Sequence, residues 1–144
     1  MGRLVLDTNV LVYTAGGEHQ LRSPCTELMT AVATRAVSGT TSVEVLQEFA
    51  HVHARKRHRS LAAAQTLRFI EVLEPLLELT TDDLRLGLAL WPRHEQLSSL
   101  DAILAASCIN TGATLVSADK AFSRVRNLDH VVPDARGVKR LIAG

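Results

Sequence analysis

Short apolar runs and longer amphipathic stretches alternate along the chain, and that alternation predicts most of its elements. Arg3–Leu6 is a β-type run that stops at Asp7-Thr8-Asn9, residues that favour turns and helix caps. Val10–Ala15 is apolar again and ends at Gly16-Gly17. Ser23-Pro24 reads as a helix start, with Ser23 as N-cap and Pro24 at the first helical position. That helix is expected to reach about Val37, buried through Leu28, Val32 and Ala36, with Gly39 ending it. Thr40–Ser42 predicts a second strand feeding a helix from Val43 to about Lys56. Arg57–Ser60 links it to an amphipathic helix from Leu61 to about Leu73, with Leu67 and Ile70 on one face.

Further along, Leu76–Leu79 is a candidate third strand, and Thr81-Asp82-Asp83 starts a helix lasting to about Pro92. Ser98-Ser99 starts another, running to Asn110 and stopped by Gly112. Thr114–Ser117 predicts a fourth strand, Lys120–Arg126 a short helix and His130–Val132 a fifth strand; from Pro133 the pattern carries little signal. Five short strands separated mostly by helices imply βαβ units, hence a parallel sheet covered on both faces. There are no internal repeats, low-complexity tracts or Pro/Gly/Ser-rich linkers, so the expectation is one α/β domain over residues 1–144.

Composition excludes several classes. At 47% hydrophobic and 22% charged the chain is not disordered, and no apolar run approaches the ~18 residues of a membrane span. The amino terminus turns polar too soon for a signal peptide. Cys25 and Cys108 have no metal-type spacing and fit a reduced, cytosolic chain. Five aromatic residues (Tyr13, Phe49, Phe69, Trp91, Phe122) are too few for a domain that reads single strands mainly by stacking. The net charge of +1 does not announce a nucleic-acid partner.

Carboxylates fall where ligands bind. In open parallel sheets that place lies beyond the carboxyl ends of the strands. Asp7 follows the first strand and Asp119 the fourth, two residues past Ser117, so both face one crevice if those strands are neighbours. Asp101 stands at the third position of a helix capped by Ser98, where the dipole keeps a carboxylate ionised. On the helix from Val43, Val52, Val45, Phe49, Leu46, Ala50 and Val43 form an apolar arc, at about 100° per residue. Glu48 lies just beyond its Val52 edge, whereas Glu44 and His51 point further toward solvent. Each acid also has an ordinary structural reading: caps for Asp7 and Asp119, a capping box for Asp101, a flank charge for Glu48. Four carboxylates converging on one sheet end repel one another unless cations lie among them. An oxygen-only set suits Mg²⁺ or Mn²⁺, and no His or Cys spacing suits zinc.

These residues resemble a known family. Leu4-Val-Leu-Asp7-Thr-Asn9 is similar to the opening of PIN-domain nucleases. Ser42-Val-Glu-Val-Leu-Gln-Glu48-Phe resembles their second motif, which by its spacing selects Glu48 rather than Glu44. Leu100-Asp101-Ala-Ile-Leu-Ala-Ala106 resembles the third and Leu115-Val-Ser117-Ala-Asp119-Lys-Ala-Phe122 the fourth, with Ser117 where Thr is frequent. Chain size resembles the VapC-type toxins of bacterial toxin–antitoxin pairs. The resemblance implies a three-layer α/β/α sandwich and a Mg²⁺- or Mn²⁺-dependent endoribonuclease that leaves 5′-phosphate and 3′-hydroxyl ends. It implies that Asp7, Glu48, Asp101 and Asp119 hold one or two cations, and that Asn9 and Ser117 orient Asp7 and Asp119 or touch a phosphate. It also implies a cognate antitoxin of the VapB type and a toxin homodimer.

Arg55-Lys56-Arg57-His58-Arg59 is the densest charge run. It is either a solvated helix end or a contact for the RNA backbone made by Arg55, Lys56, Arg57 and Arg59. His51 and His53 are two apart and cannot chelate together on a helix. Two rival readings stay open: a non-catalytic scaffold binding RNA or a partner protein, and a phosphate-transfer switch. The second usually needs paired acids after its first strand, and Asp7-Thr8-Asn9 offers one.

Overall fold

A computed structural model describes residues 2–144. Four parallel strands form the sheet in the order β2-β1-β3-β4: β1 (Leu4–Leu6), β2 (Gly39–Thr40), β3 (Thr114–Val116) and β4 (Asp129–Val131). The helices are α1 (Thr8–Ala15), α2 (Arg22–Ala33), α3 (Val43–Lys56), α4 (Arg59–Leu73), α5 (Thr81–Leu90), α6 (Ser99–Thr111) and α7 (Ala135–Ala143). Short 3-10 turns occupy Trp91–Arg93 and Lys120–Arg124.

Handedness distributes the helices. The chain steps one way from β1 to β2 and the other way from β2 to β3, so right-handed crossovers put α1 and α2 on one face and α5 and α6 on the other. Packing agrees: α2 contacts α1, α4 and α7, while α5 packs along α6. Three layers result. Leu4, Leu6, Leu11, Leu28, Phe49, Leu104 and Leu115 belong to one apolar core, in which Phe49 meets Phe69 edge-on at 5.1 Å.

The connections reverse direction between β1 and β3, which makes the gap between their carboxyl ends the crevice of the fold. Leu6 is level with Val116, and the Asp7 N–H donates to the Val116 carbonyl at 3.0 Å. Residues just past β1 and just past β3 are therefore forced together.

Several expectations need correction. Among the described residues the sheet has four strands, not five. Leu76–Leu79 makes only one bridge, Leu77 against Ser42, because Pro75 has no N–H and its carbonyl is taken by the Thr40 hydroxyl and the Arg3 guanidinium. Ser23 is not an N-cap: α2 begins at Arg22, and Pro24 sits within the first turn, where its missing N–H has no partner to lose. α2 also stops at Ala33 rather than Val37, since Arg35 turns left-handed at φ 64° and leaves Ala36 exposed. Gly39 does not end that helix. It lies in β2, where a Cβ would come within 2.7 Å of Val32 Cγ2. Val43 and Leu67 face solvent at 62% and 61% exposure instead of joining their helices' buried faces. The tail from Pro133 holds α7, capped by Asp134 and buried through Val138 and Leu141.

Candidate active site

Asp7, Thr8, Asn9, Val12, Tyr13, Glu48, Asp101 and Asp119 line one cleft of about 270 Å³ at the crevice. All four acids singled out in the sequence meet there. Asp7 closes β1 and caps α1, its Oδ1 accepting the Thr8 N–H at 2.8 Å. Asp119 follows β3 and accepts the Ala121 N–H at 2.9 Å. Asp101 makes the capping box with Ser98: the Ser98 N–H donates to its Oδ2 at 3.0 Å, and its own N–H donates to Ser98 Oγ at 3.1 Å. Glu48 reaches across from α3, where Ser42 caps the helix and Glu44 points outward in the first turn.

Asn9 and Ser117 tie two of these acids together. Ser117 Oγ donates to Asp7 Oδ2 at 2.7 Å, and Asn9 Nδ2 approaches the same oxygen at 3.3 Å and Ser117 Oγ at 3.1 Å. The Asp119 N–H donates to Ser117 Oγ at 3.1 Å, and Asn9 Oδ1 accepts the Ala118 N–H at 3.0 Å. One hydroxyl thus fixes both strand-end acids, and Asn9 fixes the hydroxyl. Thr8 was not singled out by sequence, yet its hydroxyl donates to Glu48 Oε2 at 2.8 Å. Its only sequence signal was membership of Asp7-Thr8-Asn9, which turn chemistry already explained.

The electrostatics are strained. Burial pushes the Asp7 carboxyl up to about 6; the Ser117 and Thr8 hydrogen bonds oppose the rise, and the Asp101 and Glu48 charges add to it. Asp101 is also raised, by burial first and then by Glu48 and Asp119, against the hydrogen bonds from Ser98. Negative charge thus accumulates where solvent is partly excluded, and a cation would relieve it. Among the described residues, no three His, Cys, Asp or Glu side chains are close enough to chelate one ion directly. Mg²⁺ is typically bound through one or two carboxylates and keeps several waters, so two of these acids would suffice to hold one. The donor set is oxygen only, as such an ion requires.

The basic run divides. Arg55, Lys56, Arg57 and Arg59 are all exposed, but only Lys56 and Arg57 line a groove beside the cleft; Arg55 packs against His51 Nε2 at 3.1 Å and Arg59 opens α4. Cys25 and Cys108 are buried, and burial pushes both thiols up to about 12, so neither is poised as a nucleophile.

A three-layer α/β fold with four acids at its switch point defines a class: the chain belongs to the PIN-domain family, whose family model matches residues 4–128. PIN-domain ribonucleases are as a class dependent on divalent metal ions. The chain is 44% identical to Ribonuclease VapC7 of Mycobacterium tuberculosis (strain ATCC 25618 / H37Rv) over 144 residues, covering 96% of this chain and 97% of the relative. Among solved structures it is similar to VapBC2 from Rickettsia felis bound to a promoter DNA fragment, with TM-score 0.72 and 20% identity over 91% of this chain and 98% of that one. It is also similar to Mycobacterium tuberculosis VapC20, a Sarcin-Ricin loop cleaving toxin, with TM-score 0.67 and 19% identity over 83% and 92% of the two chains. At those identities the structures speak for the fold. Among the described residues, no helix is long and apolar enough to cross a membrane.

Proposed function

We propose that this protein is an endoribonuclease, the toxin of a type II toxin–antitoxin pair, which hydrolyses RNA phosphodiester bonds in the cleft of Asp7, Glu48, Asp101 and Asp119. The observation that carries the reading is convergence: four carboxylates from four separate segments line one cleft in a chain 44% identical to a ribonuclease. Asp7, Glu48, Asp101 and Asp119 would hold Mg²⁺ or Mn²⁺, directly or through water. The chemistry such a cation supplies when bound is acidification of an attacking water and neutralisation of charge on the departing oxygen.

The chain's own side chains prepare the site. Ser117 and Asn9 hold the Asp7 carboxylate, Ser98 holds Asp101 and Thr8 holds Glu48, so the acids keep their positions while unneutralised. Attack by water rather than by the ribose 2′-hydroxyl gives 5′-phosphate and 3′-hydroxyl ends. Arg55, Lys56, Arg57 and Arg59 attract the RNA backbone, with a salt dependence that follows from counterion release. The toxin acts in the cytoplasm as a homodimer and is neutralised by a cognate VapB-type antitoxin; the VapBC complex from Rickettsia felis supports a partner of that kind.

The test is cleavage of purified RNA with Mg²⁺ or Mn²⁺, with the ends mapped. The wild type is expected to leave 5′-phosphates, and Asp7→Asn to lower the rate at least ~100-fold, in line with the loss of a charge-stabilising group at a reacting centre. Undiminished cleavage by Asp7→Asn would remove Asp7 from the site.

A further inference from the structure

The only tyrosine of the chain, Tyr13, stands on the wall between two depressions. On one side is the acidic cleft. On the other is a groove of about 340 Å³ whose lining includes Tyr13, His19, His53, Lys56 and Arg57. Val12 and Tyr13 line both, so groove and cleft adjoin across a shared wall.

The groove has the opposite chemistry to the cleft. Lys56 and Arg57, at the end of α3, supply two adjacent cations, against one carboxylate, Glu18, which also borders the neighbouring depression beyond His19. Its ring surfaces are ordered. Tyr13 and His19 stack with centroids 4.1 Å apart and planes 16° from parallel, and the Leu21 N–H fixes the His19 ring by donating to Nδ1 at 3.0 Å. The exposed His19 presents an aromatic plane to solvent, backed by Tyr13. Beneath them, buried His53 stacks on Phe49 at 5.0 Å.

We propose that this groove seats a single-stranded stretch of the RNA substrate next to the scissile phosphate, with a phosphate on Lys56 and Arg57 and a base against the Tyr13–His19 pair. The assignment rests on the ribonuclease reading and deepens it. Adjacent cations meet a phosphate, a fixed ring pair meets an unstacked base of any sequence, and the shared wall delivers the next phosphate to the acids. Few aromatics are needed, because one platform beside the cut is enough to hold the strand. Of the basic run, only Lys56 and Arg57 take part in this contact; the others act at longer range.

The experiment measures binding and cleavage separately. Binding uses a fluorescein-labelled pool of random ten-nucleotide RNAs, read by anisotropy in EDTA; cleavage uses bulk RNA with Mg²⁺ over a range of RNA concentrations. Lys56→Ala with Arg57→Ala is expected to weaken binding about 10-fold at 0.1 M salt. The same pair should flatten the log–log salt slope by about 0.7, the value for the one phosphate they share on a single strand. His19→Ala is expected to weaken binding at least about 5-fold, within the range for one lost stack, and His19→Phe to restore it. In these variants KM should rise while kcat stays within a few-fold. The control Lys139→Ala with Arg140→Ala, which removes two cations from α7 and touches neither depression, should bind like the wild type. If the wild type cleaves RNA and the groove variants bind and cleave as it does, the proposal is overturned while the ribonuclease reading stands. If the wild type neither binds nor cleaves, both fall. Loss of antitoxin neutralisation with RNA binding intact would make the groove a protein-docking site and also overturn the proposal.

Discussion

The Asp101 carboxylate accepts the Ser98 N–H while it lines the cleft, so one side chain both starts α6 and carries charge toward the other acids. Substitution can separate the two jobs. Asp101→Asn keeps an oxygen for the cap and should cost under ~1 kcal/mol in urea unfolding, whereas Asp101→Ala should cost about 1–2 kcal/mol. Both should abolish cleavage. Asp7 gives a pH signature in the metal-free protein. Its folded pKa of about 6 lies above the ordinary 3.8, so between those values the folded chain holds more protons than the unfolded one. Stability from this group is therefore full below about pH 4, falls as pH rises toward 6 and levels off beyond, by an amount on the order of 3 kcal/mol. Asp101 adds to that fall, while Asp83, held low by hydrogen bonds from Asn110 and Thr80 against its burial, acts only at more acidic pH. Asp7→Asn should remove most of the slope in urea titrations at pH 4.5, 5.5 and 7 in EDTA. At this scale Asp7, Asp101 and Asp119 were legible because each follows a strand or caps a helix, and Glu48 because it borders the apolar arc of its helix. Thr8 and Tyr13 were not, because their roles depend on what lies across the cleft.

α6 is the element most fully written in sequence: a capping box opens it at Ser98 and Asp101, and Gly112 closes it at φ 72°. α2 and α7 show the limits of such signals. Nothing in the apolar pattern says that Arg35 turns left-handed, and α7 is short, with its Val138 and Leu141 contacts coming from elsewhere in the chain. The candidate third strand, Leu76–Leu79, failed for a related reason, since pairing depends on which carbonyls remain free once Thr40 and Arg3 have used Pro75. Packing of α5 on α6 makes an element-scale prediction. A Cβ on Gly87 would lie 2.8 Å from the Ile103 Cα, and backbone there cannot swing aside as a side-chain tip can. Gly87→Ala should destabilise the protein by about 1–3 kcal/mol, read from the urea midpoint. Because Ile103 is two residues from Asp101 on α6, cation affinity should fall in the same variant.

The whole-molecule charge of +1 conceals an arrangement that composition could not display. Four of the 15 acids line one cleft, which leaves 11 against 16 cations and gives the remaining surface about +5. Parallel order, three layers and the crevice were all legible, because alternating strands and helices admit few right-handed arrangements. Which depressions adjoin the crevice was not, because Val12 and Tyr13 form a shared wall only once α1 packs against α3. The central claim is that these four carboxylates form one cation site serving RNA hydrolysis. Calorimetric titration of Mn²⁺ into the wild type, Asp7→Asn and Asp101→Asn tests it most directly. Saturable binding in the wild type, weakened at least ~10-fold in each variant, is the expected result. Equal binding by all three proteins, or no binding by a wild type that still cleaves RNA in EDTA, would contradict it.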